Sequence, residues 1–274
     1  MAIMPAEAGD EGNEAFFLPT DDPEVFIATP LTEGLWTPQT QHAGPPSALI
    51  TRAVERTESS IPGPSHLTRL AVEILGPLPT GEVRVSAAVV RPGRTVELVE
   101  SELIAGGRPA MRARAWRMRT AAVALPEIAQ DAHPAPPPIP EAASRFSDPV
   151  WTTAYLGAVE WRFVSGHFER PGPSEVWARL RVPLVAGEVP TPTQQLVAIS
   201  DSGNGLSSVL PFESWWFINT DLCLHLHRLP ESEWIFVRAR QTLDPCGVGM
   251  AETELYDRSG RLGRGAQSLL VGPR

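Results

Sequence analysis

A run of small and polar residues interrupts a helical pattern in the second half of the chain. Apolar residues between positions 196 and 210 recur at intervals of three and four, which predicts one buried stripe along a helix. Residues 200–205 lie inside that stripe and combine a carboxylate, two hydroxyls and an amide with two glycines, each of which costs about 1 kcal/mol relative to alanine in a helix. Such departures are typical of functional sites, and the Asp201 carboxylate could remove a proton from water. A helix that ends at Ile199, followed by a surface turn, is the alternative that this stretch leaves open.

Two segments have the signals of a central helix. Thr191 can cap a helix, Pro192 suits its first turn and Gln194 completes a capping box, so we expect a helix over residues 191–210. In the first half, a glycine followed by two prolines precedes an apolar stripe and predicts a helix over residues 44–58. Each stripe must be buried against other elements.

Alternating apolar residues follow each helix and predict antiparallel hairpins. The two sets contain an echo, because residues 100–103 are Glu-Ser-Glu-Leu and residues 252–255 are Glu-Thr-Glu-Leu. A proline-rich tract between the sets cannot continue a sheet or a helix. We therefore predict an α+β protein with two fused repeats. Its expected parts are a flexible arm over residues 1–20, a first repeat over 21–122, a linker over 123–145 and a second repeat over 146–274.

Composition excludes several classes of function. The net charge is −9, which argues against nucleic acid or an anionic membrane as the partner, because both require a basic face. All 23 basic residues are arginine, so lysine-based chemistry is excluded. The chain has no apolar run of the ~18–20 residues that span a membrane and no signal-peptide pattern, so we expect a cytoplasmic protein. Cys223 and Cys246 form no metal-binding pattern.

Three short motifs resemble those of a known family. Residues 42–46, His-Ala-Gly-Pro-Pro, are similar to the His-Gly-Gly-Pro-Pro-like helix start in the first half of double hotdog acyl-CoA thioesterases, with Ala43 where glycine is usual. Residues 199–201 (Ile-Ser-Asp) and 265–268 (Gly-Ala-Gln-Ser) resemble the signature of their second half. The resemblance covers nearly the whole chain after the arm. It implies a double hotdog fold, in which each repeat wraps an antiparallel sheet around a long central helix, and hydrolysis of acyl-CoA thioesters.

The resemblance also implies catalytic roles. Thioester hydrolysis needs a water, a carboxylate to activate it and donors for the developing oxyanion. Asp201 would be that carboxylate, and Gln267 would help to orient the water. The third polar residue falls by register on Asn219, whereas the hydroxyl found in relatives is supplied by Thr220, so both stay candidates.

On the substrate side, we expect contacts from His42, Gly44 and Trp216. The backbone amide at the Gly44 helix start would polarise the thioester carbonyl, because first-turn amides have no partner within a helix. Trp216 belongs to an aromatic group that could line an acyl channel, although such groups are more often core. The implied partner is acyl-CoA, and we expect a homodimer of fatty acid metabolism with no cofactor or metal.

Two other functions are compatible with this fold. An enoyl-CoA hydratase or dehydratase would use a histidine with an acid, but the chain has no Asp-x-x-x-x-His run. A non-catalytic acyl-CoA-binding protein is the second, and a surface position of Asp201 would favour it. A nucleophilic serine is disfavoured because no Gly-x-Ser-x-Gly elbow occurs.

Overall fold

The computed structural model describes residues 15–126 and 133–274. Its helices are α1 (Gly44–Arg56), α2 (Ala154–Gly157), α3 (Pro192–Ser200) and α4 (Gly203–Leu206), with 3₁₀ turns at Pro30–Thr32 and Pro149–Thr152. The strands are β1 (Phe17–Pro19), β2 (Val25–Ala28), β3 (Ser65–Ile74), β4 (Gly81–Arg91), β5 (Val96–Ala105), β6 (Arg108–Arg119), β7 (Val159–His167), β8 (Arg170–Leu180), β9 (Trp215–Asn219), β10 (Asp221–Leu226), β11 (Ile235–Asp244), β12 (Val248–Asp257) and β13 (Gly260–Pro273).

The strands of the described residues form one antiparallel sheet. Its order is β1-β2-β4-β5-β6-β3-β10-β13-β12-β11-β8-β7, and β9 pairs with β13 beside this path. Strands β3 and β10 join the halves, with Glu73 opposite Asp221 and Arg69 opposite His225. Outward from this junction, the order β3-β6-β5-β4-β2 is repeated as β10-β13-β12-β11-β8. The chain is therefore a structural duplication, and the sequence echo lies on the equivalent strands β5 and β12.

The two longest helices pack against each other. Helix α1 also contacts β4 and β5, and α3 contacts β8 and β11. Ile50 and Leu196 are fully buried in the same core cluster. A side chain at Gly44 would place its Cβ 2.4 Å from the carbonyl oxygen of Ala198, so this close approach of the two helices requires glycine. None of the described helices is long and apolar enough to span a membrane.

Both central helices are shorter than the sequence predicts. Helix α1 ends at Arg56, two residues early. The expected single helix over residues 191–210 is wrong, because α3 ends at Ser200 and only the separate turn of α4 follows. The start of this helix is confirmed, since the Thr191 hydroxyl accepts from the Gln194 amide and the Gln194 side chain accepts from the Thr191 amide.

Part of the expected arm is packed, and the described part of the expected linker is a mostly exposed segment without helix or strand. Residues 15–20 of the expected arm include β1, and Phe16 is fully buried. The remainder of that arm lies outside the described residues. From the expected linker, residues 133–145 lie against the second half, where Nε1 of Trp177 donates to the Pro137 carbonyl at 2.9 Å. Proline lacks an amide hydrogen but its carbonyl still accepts, so a proline-rich segment can bind to the sheet in this way.

Polar contacts connect the halves at the end of α1. Arg52 is buried and donates from Nε and Nη2 to the Glu188 carboxylate at 2.7 and 2.6 Å. Glu55 accepts from the Thr191 hydroxyl at 3.0 Å and from Nε2 of Gln194 at 2.7 Å, at the start of α3. Each contact has one partner in each half, so separation of the halves would leave these groups unpaired.

Candidate active site

The polar interruption after α3 lies inside the molecule. Asp201 lies in a turn directly after α3, so the alternative in which the helix ends near Ile199 is correct about the helix end. Its surface position is wrong, because Asp201 is only 4% exposed. Gly203 is pressed against β12 and β13, where a Cβ would lie 2.5 Å from Cγ2 of Thr253 and 3.2 Å from Oε1 of Gln267. Glycine is therefore needed at this position for the close packing of α4 on the sheet.

Side chains from both halves surround the Asp201 carboxylate. Its Oδ1 accepts from Nδ2 of Asn219 at 2.8 Å and from Nε2 of Gln267 at 3.0 Å. Its Oδ2 lies 3.1 Å from Nδ1 of His42, which comes from the first half. Burial raises the pKa of Asp201, and the three neighbouring side chains and a hydrogen bond from the Gly44 amide oppose that rise. Once ionised, this carboxylate is a stronger base than an ordinary aspartate.

Gln267 uses its whole amide to hold the Asp201 turn. Its Nε2 also donates to the Asp201 carbonyl at 3.0 Å, and its Oε1 accepts from the Asn204 amide at 3.0 Å. The sequence prediction makes Gln267 orient a water, but the side chain lies behind the carboxylate and does not line the cavity. Of the two candidates for the third residue, Asn219 contacts Asp201, whereas the Thr220 hydroxyl contacts the carboxylate of the next residue.

His42 is a direct neighbour of Asp201, which the sequence did not indicate. Its Nδ1 accepts from the Gly44 amide at 3.0 Å. The Gly44 N–H, expected to face a thioester carbonyl, is thus engaged within the protein. Burial lowers the pKa of His42, and the Asp201 carboxylate opposes this effect. The imidazole is therefore neutral at physiological pH.

Tyr155 is a site residue that the sequence did not indicate. Its ring stacks on His42 with centroids 4.0 Å apart and planes at 15°. Its hydroxyl donates to the Ala198 carbonyl at 2.8 Å and pairs with Oγ of Ser202 at 2.9 Å. Helix α2 begins at Ala154 with a φ of 48°, a conformation that non-glycine residues rarely adopt. A four-residue helix has no periodic stripe, so no sequence signal marks it.

A cavity of about 800 Å³ opens beside this cluster. His42, Asp201, Asn219 and Thr220 belong to its polar wall. Aromatic residues of both halves form much of the remainder: Trp36, Trp151, Tyr155, Phe168, Phe212 and Phe217. Across residues 15–126 and 133–274, no three His, Cys, Asp or Glu side chains are grouped as metal ligands would be.

Trp216, an expected substrate contact, lies outside the cavity wall and is 44% exposed. Successive side chains of a strand point to opposite faces, so its neighbour Phe217 faces the cavity instead. The rings of Phe217 and Trp36 meet edge to face with centroids 4.9 Å apart. Phe217 thus occupies the position that the sequence prediction gives to Trp216.

Crystal structures with the same fold are known. A hotdog-fold protein of unknown function from Alicyclobacillus acidocaldarius has a TM-score of 0.68 and 15% identity, with 93% of this chain and 95% of that chain covered. The acyl-CoA thioesterase II TesB2 from Mycobacterium marinum has a TM-score of 0.65 and 16% identity, with 93% and 94% covered. At these identities the likeness establishes the fold alone, which is that of hotdog proteins.

Family models match both halves of the chain, although no curated protein matches its sequence. The acyl-CoA thioesterase N-terminal domain matches residues 32–118, which include His42. The acyl-CoA thioesterase C-terminal domain matches residues 130–271, which include Asp201. The second match alone spans more than half of the chain. The chain belongs to the acyl-CoA thioesterase family.

Proposed function

We propose that the protein hydrolyses acyl-CoA thioesters to a free acid and CoA, with Asp201 as the general base. The position of Asp201 supports this most directly, because a buried carboxylate lies in the wall of a large apolar cavity. Buried carboxylates of raised pKa in a cleft are suited to proton transfer. With Asp201 buried, the non-catalytic alternative loses the surface position that would favour it.

The hydrogen bonds of Asp201 indicate which oxygen acts. Two amide donors, Asn219 and Gln267, occupy Oδ1, and each carboxylate oxygen has two lone pairs. Oδ2 is therefore the oxygen that takes the proton of a water in the cavity. That water attacks the thioester carbonyl carbon, and CoA leaves as the thiol when the C–S bond breaks. Asn219 and Gln267 act by holding the base, and Thr220 is a wall residue beside it.

The cavity is suited to an acyl group. Ligand sites are mostly apolar and aromatic with a few placed polar groups, and this cavity has its polar groups gathered at Asp201.

We also retain the finer predictions as part of this proposal. They are a double hotdog arrangement of the two repeats, their expected boundaries, and a cytoplasmic homodimer of fatty acid metabolism.

The test is the substitution Asp201→Asn, which keeps the shape and removes the base. We expect kcat to fall by roughly 10²–10⁴, the usual contribution of a positioned acid–base group, with little change in the thermal midpoint. Release of free thiol from acyl-CoA substrates of rising chain length is the assay. Asp244→Asn is a matched control, because this exposed residue at the end of β11 undergoes the same chemical change away from the cavity. Wild-type turnover by folded Asp201→Asn would refute the role of the base.

A further inference from the structure

The start of α1 has no amide hydrogen left for a substrate oxyanion. Its first three residues are Gly44, Pro45 and Pro46, and proline has no N–H. The Gly44 N–H donates to Nδ1 of His42 at 3.0 Å, and the next amide, of Ser47, donates back to the Ala43 carbonyl. Another donor must therefore stabilise the charge that develops on a thioester oxygen.

His42 presents its two ring nitrogens to different surroundings. Nδ1 faces the Gly44 amide at 3.0 Å and Oδ2 of Asp201 at 3.1 Å. The side chain is 21% exposed and forms part of the cavity wall. Within the described residues, Nε2 has no protein hydrogen-bond partner. The stack on Tyr155 fixes the plane of the ring, so the cavity-facing edge is held in one orientation.

The Gly44 amide lies between Nδ1 and the Asp201 carboxylate, because it is 3.0 Å from Nδ1 and also hydrogen-bonds Asp201. When Nδ1 accepts from this amide, the neutral imidazole carries its hydrogen on Nε2. Nδ1 and Oδ2 of Asp201 then meet as two acceptors at 3.1 Å. Such a contact becomes favourable when one proton is placed between the two atoms. The reaction supplies that proton when Asp201 deprotonates water.

We propose that His42 is a catalytic residue with two linked roles: Nε2–H donates to the thioester oxygen, and Nδ1 shares with Oδ2 of Asp201 the proton that water loses. This inference rests on the proposed thioesterase function. As the water oxygen bonds to the carbonyl carbon, its O–H bond breaks and the C=O electron pair moves to oxygen. The same proton then returns through Oδ2 to the sulfur as the C–S bond breaks, which yields acid and thiol.

The linked roles reinforce each other. A proton on Nδ1 makes the ring cationic at the moment when negative charge forms on the oxygen bound to Nε2–H, and charge-assisted hydrogen bonds are the stronger ones. Burial also lowers the pKa of His42 and raises that of Asp201, which brings the proton affinities of the two groups closer together. Both shifts therefore favour sharing of a proton across the 3.1 Å contact between Nδ1 and Oδ2.

Two variants of His42 separate this proposal from a positional role. In His42→Asn the amide nitrogen takes the place of Nδ1, whereas in His42→Gln it reaches the place of Nε2, and neither amide accepts a proton. We expect both to lower kcat more than they change KM, with His42→Asn losing roughly 10²–10³, as for one oxyanion donor, and His42→Gln losing less. If His42 only supported Asp201 through Nδ1, His42→Asn would keep more activity than His42→Gln. His42→Asn as active as His42→Gln or more so, or either variant at wild-type turnover, overturns the proposal.

A second measurement needs no variant to fold. Nitrogen-15 NMR of wild-type protein with labelled histidine rings reports which nitrogen of His42 carries hydrogen at neutral pH. The proposal requires the Nε2–H tautomer at rest, and the Nδ1–H tautomer or an imidazolium would overturn it. Wild-type protein that releases no thiol from any acyl-CoA would overturn the proposed function and this inference with it. An active wild type with the wrong tautomer or variant order overturns only the role of His42.

Discussion

Removal of the Glu188 charge should destabilise the fold far more than removal of an exposed glutamate. Glu188 receives two hydrogen bonds from the buried Arg52, at 2.7 and 2.6 Å, and one ion pair from Arg56 at 3.0 Å. In Glu188→Gln the guanidinium of Arg52 stays buried and loses its counter-charge. The guanidinium of Arg52 also lies 5.0 Å from the centre of the Phe26 ring, but this ring carries no charge to replace the carboxylate.

The size of the effect follows from exposure. Breaking a fully buried ion pair costs about 3–5 kcal/mol, and because the Glu188 side chain is 30% exposed we expect about 2–3 kcal/mol. The matched control is Glu252→Gln, which breaks a pair with Arg240 at 2.9 Å. There the glutamate is 38% and the arginine 72% exposed, so the expected cost is only about 0–1 kcal/mol.

Urea unfolding at neutral pH gives the free energies of unfolding of wild type, Glu188→Gln and Glu252→Gln. They can be compared if the dependence of this free energy on urea concentration is the same in all three proteins. The hydrogen bond from Arg52 lowers the pKa of Glu188, so the folded state binds fewer protons there than the unfolded state. The stabilisation is complete above the ordinary glutamate pKa of about 4.3 and is lost as the pH falls through the lowered value. The difference in unfolding free energy between wild type and Glu188→Gln should therefore become smaller in acid. Equal losses of unfolding free energy in Glu188→Gln and Glu252→Gln at pH 7 would refute the reasoning.

Two further outcomes are expected. Gly44→Ala should cost about 1–3 kcal/mol, as overpacking does, because its Cβ meets a backbone oxygen at 2.4 Å. Gly205→Ala meets only a ring carbon at 3.8 Å and should be neutral or stabilising; equal thermal midpoints for the two variants would contradict this. Turnover should fall on acidification with a midpoint above the ordinary aspartate pKa of about 3.9, because Asp201 must be ionised to act and burial raises its pKa. A pH–kcat profile that stays flat to that value would exclude Asp201 as the base.

Local signals predicted the elements better than their ends. The capping box at Thr191 is formed by residues three apart, so its geometry is contained in the sequence itself. Just beyond the end of the same helix, Gly203 packs against Thr253 and Gln267, which are distant in the chain. Leu206 and Leu210 continue the apolar repeat in the sequence. Such a repeat carries no information about contacts with residues that are distant in the chain.

Sequence motifs indicated some residues of the candidate site, but they did not indicate the contact between residues of the two halves. Asp201 and Gln267 stand in recognisable motifs, but the 3.1 Å approach of His42 to Asp201 depends on how α1 crosses α3. Residues 215–217 are all aromatic, so an alternation of apolar and polar residues cannot show which of them faces inward. Phe217 rather than Trp216 lines the cavity for that reason.

Helices α1 and α3 are linked by polar contacts at both ends of the pair, and the residues at the two ends differ. At one, Asp201 beyond the end of α3 meets His42 at the start of α1. At the other, Glu55 near the end of α1 meets Thr191 at the start of α3, beside the ion pair of Glu188. Two identical subunits would carry the same residues at both ends of the pair. In this single chain the residues at the two contacts differ, so one contact can serve catalysis, as we propose, while the other holds the halves together.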